Sequence, residues 1–270
     1  MSKQIQKLVI ATIDLSFHVA ASAVVRSVLA PHGIALEEIR APHEQAFELL
    51  RQGKADLLCS AWLPGSHGAY VAPMLDQLEQ LAVLYEPYAL WGVPDYVPAA
   101  EVRSVADLAR PDVAQRMTKL IQGIGPGAGI SRFSREIMTH YQLDRAGYRF
   151  ENGSLIDCVT AFEQAAAEQR WCVVPLWQPQ YLHWTHGIRE LEEPSGLLRG
   201  KDQATLMVRK TSLEKMPESA LASLRNLSLG NRTVTYLDYL ISSQRQSPDA
   251  AVRLWQDALK QGDASSMVIA

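Results

Sequence analysis

Residues Ala55 to Tyr70, ADLLCSAWLPGSHGAY, decide how this chain is to be read. The run Leu57-Leu58-Cys59 is short and apolar, as in a buried strand. It empties into Trp62, Pro64, two glycines and His67, so a large aromatic and an ionisable ring stand on the turn leaving that strand. One reading is packing: Trp62 plugs the end of the core, as tryptophans usually do, and His67 is a solvated loop residue. The other is a ligand site, and the neighbouring elements bear on the choice.

Upstream the hydrophobic period alternates. Leu8 to Ile13 is a β-branched apolar run, hence a buried strand. Phe17, Ala20, Ala21, Val24 and Val28 recur at helical spacing over 17–29, and Pro31 and Gly33 stop that helix. Ile34 to Ile39 reads as a second strand, His43 to Arg51 as a second helix with Phe47 and Leu50 on one face, and Ala55 to Ser60 as the third strand. Strand–helix–strand–helix–strand implies parallel pairing through right-handed crossovers, an open α/β sheet. Ligands bind such sheets beyond the carboxyl ends of strands, which is where Trp62 and His67 stand.

A second unit follows Tyr88 to Val93, with a break at Pro94 and Pro98. GIGPGAGIS, from Gly123, feeds a helix starting near Ser131, and Leu155 to Gln169 is another helix. RWCVVPLWQPQYL, from Arg170, is a strand ending in a second Trp–Pro turn. Ala204 to Val208 is a further strand, and a helical tail runs from Leu213. The expected division is a first lobe of residues 1–90 plus 206–270 and a second of 91–205, with chain crossings near 88–93 and 203–208.

Composition excludes several classes. The 270 residues suffice for one large core or two modest ones. At 47% hydrophobic and 20% charged this is an ordinary globular balance. With 26 basic against 29 acidic residues, nothing electrostatic favours a nucleic-acid partner. No apolar run approaches bilayer-spanning length. The opening MSKQIQKLVIATIDL lacks the apolar core and cleavage site of an export signal. Either the protein is cytoplasmic or its signal precedes this sequence. Cys59, Cys158 and Cys172, three at wide spacing, make no readable disulfide framework or zinc motif.

The glycine loop is anion-binding equipment. Its glycines leave backbone N–H groups open, and the following helix aims its positive end there. No Gly-Lys-Ser/Thr follows, which excludes a P-loop, and Pro126 spoils a dinucleotide fingerprint. Only Arg132 is nearby, so a carboxylate fits better than a phosphate; the plain alternative is a flexible loop before a capped helix. Trp62-Leu63-Pro64 and Trp177-Gln178-Pro179 end one strand in each lobe. Tryptophan faces attract quaternary ammonium groups. Two tryptophans for a cation and a helix N-terminus for an anion together describe a zwitterion site.

From about Lys7 to Gln261 the chain resembles the glycine betaine/choline-type substrate-binding proteins of ABC transporters. The resemblance rests on AWLPGSHGAY, on GPGAG before a helix, on VVPLWQPQYL and on the closing SPDAAVRLWQDA. It implies an α/β, two-lobed type II periplasmic binding protein fold, each lobe a mostly parallel sheet flanked by helices, with the ligand cleft between lobes. It implies capture of a quaternary ammonium compound (glycine betaine, choline or a related zwitterion) without catalysis, cofactor or metal. The lobes are expected to close on the solute and deliver it to an ABC permease subunit from the periplasm. By the family's pattern Trp62 and Trp177 box the trimethylammonium group. His67 and the backbone amides of Gly129 and Ile130 hold the carboxylate, and Tyr181 falls where some members carry another aromatic. Similar proteins often place a third cage tryptophan where this sequence has Ala128. Either Trp91, Trp184 or Tyr70 supplies that face, or the ligand differs.

Other residues read as structure. Trp171 and Cys172 belong to the core at the start of a strand, and Trp255 to a packing stripe with Leu254 and Leu259. His183 and His186 lack acidic or Cys partners at metal-ligand spacing. The competing expectation is a cytoplasmic member of the same fold, a solute sensor or an enzyme, for which Cys59 with His67 is the conceivable nucleophile pair.

Overall fold

The structure, a computed structural model, describes residues 6–261. The first five residues of the stretch read for an export signal lie outside them. Among the described residues ten strands run Gln6–Ile13 (β1), Ile34–Ala41 (β2), Leu57–Leu63 (β3), Leu78–Tyr85 (β4), Tyr88–Pro94 (β5), Leu120–Gln122 (β6), Arg149–Glu151 (β7), Val174–Gln178 (β8), Ile188–Glu190 (β9) and Gln203–Arg209 (β10). The longer helices are Ser16–Leu29 (α1), His43–Arg51 (α2), Gly129–His140 (α3), Leu155–Ala167 (α4), Glu218–Arg225 (α5), Gly230–Ser242 (α6) and Pro248–Lys260 (α7). The chain divides into two compact units: Met1–Pro87, Pro179–Trp184 and Asp202–Ala270 form the first, Tyr88–Gln178 and Thr185–Lys201 the second. The short piece Pro179–Trp184, which carries Tyr181, thus belongs to the first unit.

In the first unit the sheet order is β2-β1-β3-β10-β4. β1 pairs in parallel with β2 and β3, and α1 and α2 form the crossovers. Helices cover both faces, so the Leu8 to Ile13 run is buried on both sides apart from half-buried Val9. On one face Phe47 and Leu50 of α2 meet Ala11, Ile13, Leu58, Ala61 and Met207. Elsewhere Ala20, Ala23 and Val24 of α1 meet Leu237 and Leu240 of α6 and Ala251 and Val252 of α7. The turn after α1 ends on Gly33 at φ 77°, a left-handed conformation that costs glycine nothing sterically.

The second unit holds an antiparallel sheet, β8-β5-β9, and a parallel pair, β6-β7. A mostly parallel sheet therefore describes β1–β3, but not β5, β8 and β9. The reason is topological. β5 enters the second unit and β8 leaves it, because Pro179 already belongs to the first. An entering and a leaving strand placed side by side must run in opposite directions. For the same reason β10 is antiparallel to β4 in the first unit.

Three local expectations are corrected. β3 runs on to Leu63, so Trp62 is the second-last residue of the strand and not part of the turn. The strand after Arg170 begins only at Val174; Trp171 is half-buried, with the Arg116 guanidinium 3.5 Å above its ring. Leu254 and Leu259 are 47% and 49% exposed, and the packing face of α7 is Ala251, Val252 and Trp255. Leu237→Ala in the helical cluster is expected to cost about 2–5 kcal/mol. Leu254→Ala, facing out, should stay within about 0.5 kcal/mol of the parent. Urea unfolding of both variants checks which face packs.

Candidate functional site

Trp62 is 6% exposed and His67 2% exposed. They close the turn between them with two hydrogen bonds: the His67 N–H donates to the Trp62 carbonyl at 2.8 Å, and the Trp62 N–H donates to His67 Nδ1 at 2.9 Å. A backbone N–H only donates, so Nδ1 accepts, and a neutral His67 carries its proton on Nε2. The turn is held from outside by buried Asp202, whose carboxylate accepts from the Gly65 N–H at 2.6 Å and the Ser66 N–H at 3.0 Å. The two rings lie nearly parallel, centroids 6.0 Å apart.

Further rings crowd this pair within the first unit. Phe17 and His18, adjacent on α1, lie 5.4 and 5.5 Å from Trp62. Phe47 and His43 of α2 meet His67 edge-on at 5.3 and 5.4 Å. Tyr70 stacks on Phe47 at 5.0 Å. The Trp62 indole N–H donates to the Tyr85 hydroxyl, which also bonds Ser60 Oγ, and Ser60 Oγ bonds His18 Nδ1. Burial, and next the neighbouring His43, holds His18 well below the usual imidazole range. Burial pushes the Cys59 thiol up to about 12, so at neutral pH it is no thiolate nucleophile.

In the second unit α3 starts at Gly129, two residues earlier than expected. Ala128 is its N-cap, 1% exposed, with no capping side-chain bond; Gly129 and Ile130 are its first, buried residues. The loop before it is stapled at the Ile124 carbonyl, which accepts from Ser131 Oγ at 3.0 Å and Asn152 Nδ2 at 2.5 Å. Arg135 in turn donates to Asn152 Oδ1 at 2.7 Å. A Cβ at Gly125 would meet nothing within 4 Å, and the Gly125 carbonyl accepts from the Ala128 N–H at 3.1 Å. Trp177 is buried on β8, against which α3 packs.

Tyr181 lies in the first unit, with its N–H donating to Asp238 Oδ2 at 2.8 Å. Trp62, His67 and Tyr181 are therefore in one unit, and Ala128, Gly129, Ile130 and Trp177 in the other. Of the rings expected to replace a tryptophan at 128, Trp91 is fully buried with its indole N–H on Ser134 Oγ, and Trp184 packs on Tyr236 and Tyr239. Tyr70 alone sits beside His67, 6.4 Å away. His186 is edge-on to Phe162, and among the described residues no group of three His, Cys, Asp or Glu is placed to hold a metal ion. Phe17, His18, Tyr85 and Asp202 join the site without having been singled out from sequence. Phe17 reads as helix core, Tyr85 sits on an unread strand, and Asp202 is one acid among many; its place just ahead of a strand is the faint available signal.

Two buried groups tilt stability with pH in opposite senses. The unfolded chain takes a proton at the ordinary His value of 6.5 while folded His18 resists it, so its contribution is lost as pH falls below 6.5. Burial raises Asp238 from 3.8 to about 6, so its contribution is full below 3.8 and is lost as pH rises through about 6. Asp238→Asn keeps an acceptor for Tyr181 and is expected to be more stable than the parent at about pH 7, the gain vanishing below about pH 4. Guanidinium unfolding at the two pH values checks this; a gain unchanged at low pH would point to packing instead.

The family model described as the substrate binding domain of ABC-type glycine betaine transport system, OpuAC, matches residues 6–258. Lactococcal OpuAC, in its closed-liganded conformation with glycine betaine, is similar over 96% of this chain and 98% of that chain, with TM-score 0.81 and 22% identity. The glycine/betaine/L-proline-binding protein ProX of Borrelia burgdorferi is similar over 92% and 91%, with TM-score 0.80 and 21% identity. An ABC-transporter choline binding protein in complex with choline is similar over 96% and 90%, with TM-score 0.80 and 16% identity. These likenesses establish the two-lobed type II periplasmic binding protein fold. No curated protein sequence matches the chain. Among the described residues no helix is long and apolar enough to cross a membrane. The family match runs from the first residue of β1 almost to the end of α7, and the chain belongs to the OpuAC family of substrate-binding domains of ABC-type glycine betaine transport systems.

Proposed function

We propose that the chain captures a small quaternary ammonium solute, glycine betaine, choline or a related zwitterion, outside the cytoplasm. It holds the solute without altering it and passes it to the permease subunit of an uptake system. The observation that carries this reading is the Trp62–His67 closure. Trp62 offers an aromatic face, worth ~0.5–1 kcal/mol to a quaternary ammonium when exposed and ~2 kcal/mol or more when desolvated. With His67 Nδ1 accepting from the Trp62 N–H, the proton of an uncharged ring lies on Nε2, the atom this reading directs at the solute's carboxylate or hydroxyl. Trp177 is the second face, and the Gly129 and Ile130 amides at the start of α3 favour negative charge. Tyr181 adds a third aromatic, held by Asp238. The protonated state of Cys59 supports binding rather than nucleophilic chemistry.

Trp62→Ala and Trp177→Ala are each expected to lose roughly 1.5–3 kcal/mol of affinity for the cognate solute. Titration calorimetry checks this, and parent-like binding by both variants would remove the cage. A thermal-shift panel of betaine, choline, carnitine and non-quaternary amines identifies the solute, since a ligand of the native state raises Tm.

Ala128→Trp separates two meanings of the small residue. Because Ala128 is buried, a tryptophan there is expected to overpack, at about 1–3 kcal/mol, and to weaken binding. Tighter betaine binding by this variant would instead show that position 128 is an unfilled wall.

A further inference from the structure

We propose that Tyr85 is a positioning residue for cation recognition, its hydroxyl fixing the plane of the Trp62 indole across a gap left by Ala204. The inference rests on Trp62 being a wall of the solute site. β10 lies between β3 and β4, and Ala204 is the register partner of Trp62 on one side and of Tyr85 on the other. Residues directly opposed on neighbouring strands project from the same face of a sheet. Any side chain at 204 therefore stands between the two rings. Fully buried Ala204 stops at Cβ, and the rings meet over it edge-on, centroids 6.3 Å apart at 90°.

The contact is polar as well as steric. An indole has one donor and no acceptor. Trp62 Nε1–H spends it on the Tyr85 hydroxyl at 3.1 Å. That hydroxyl is itself held by Ser60 Oγ at 2.7 Å, and Ser60 by His18 Nδ1 at 3.0 Å. Burial pushes the phenol up, so it remains a neutral hydroxyl. Turning the indole about its own axis breaks the bond and leaves a buried donor unmade. Cation–π attraction acts over the ring face, so whatever holds the plane holds the recognition.

The test uses the full chain, glycine betaine and choline as probes, and nitrogen-15 labelling of the tryptophan indoles. The Trp62 indole resonance is the one missing from Trp62→Phe. Tyr85→Phe keeps the ring and removes only the hydroxyl. It is expected to shift that resonance, speed its exchange with solvent, and weaken the probe that binds the parent roughly five- to thirtyfold. In the Trp62→Phe background, which has no Nε1–H, it should cause no further loss. Ala204→Val, which fills the gap with Tyr85 intact, should move the same resonance. An unchanged resonance in Tyr85→Phe, or a loss that adds fully to that of Trp62→Phe, overturns the proposal; an unchanged resonance in Ala204→Val overturns the gap. If Trp62→Phe weakens binding and Tyr85→Phe does not, the positioning role alone fails. If Trp62→Phe binds both probes like the parent, the solute-site reading fails with it.

Discussion

The closure between Trp62 and His67 is the interaction on which the candidate site depends. Its two hydrogen bonds fix the backbone of the turn at Trp62 and the tautomer of an uncharged imidazole at once. The imidazole cannot turn away without leaving the buried Trp62 N–H unmade, at a cost of about 1–3 kcal/mol, while the indole is held separately by the Tyr85 hydroxyl. The closure in turn needs the turn backbone in place, and that backbone is held by Asp202, the residue just before β10. β10 also supplies Ala204, beside Trp62. The strand that returns the chain to the first unit thus both braces the turn and sets the floor under the indole.

For the cationic solute proposed above, it matters that His18 stays uncharged. A protonated ring about 6 Å from a quaternary ammonium repels it by ~3 kcal/mol at an effective dielectric of ~20. That is as much as one desolvated aromatic wall contributes. Burial of His18 among Phe17, Trp62 and Ser60 holds its pKa well below the usual imidazole range, which on the proposed reading spares the solute that repulsion.

The α/β class was legible because β1, α1, β2 and α2 are simple periodic segments, each covered in a uniform way. Strand β4 was not, and its geometry says why. Leu78, Leu81, Ala82, Leu84 and Tyr85 are buried, and all but Leu84 fall at the i, i+3, i+4, i+7 spacing of a helix face. Two register shifts against β10, at Leu84 and Leu81, each insert a residue and flip the pattern, so a strand imitates a helix. A third shift, between Leu58 and Ala61 of β3, lies under the site itself. Trp62, His67 and the glycine loop were visible as chemistry out of place. Tyr85, Ser60 and Asp202 were invisible, since their roles arise from bulges and from partners more than a hundred residues away in the case of Asp202. The excursion at Pro179–Trp184 was hidden for a related reason: the buried Asp238 carboxylate and the Trp184 packing on Tyr236 and Tyr239 that hold it are announced by no local pattern.

The two helices that flank the glycine loop's neighbourhood show what Ala128 accomplishes by being small. α4 begins with a full capping box, in which Ser154 Oγ accepts from the Asp157 N–H and the Asp157 carboxylate accepts from the Ser154 N–H. α3, in the same unit, begins at Ala128 with no side-chain cap. A serine, threonine or aspartate at 128 would stabilise the helix by about 0.5–2 kcal/mol, and it would do so by occupying the first amides. Alanine forgoes that stabilisation and leaves the amides of the first turn, which have no partner inside the helix, to other acceptors. The loop is meanwhile held rigid from outside, through Ser131, Asn152 and Arg135, so the missing cap does not loosen it. An uncapped helix start on a stapled loop suits the proposed role of this turn in holding a carboxylate, because no cap side chain competes for the first amides.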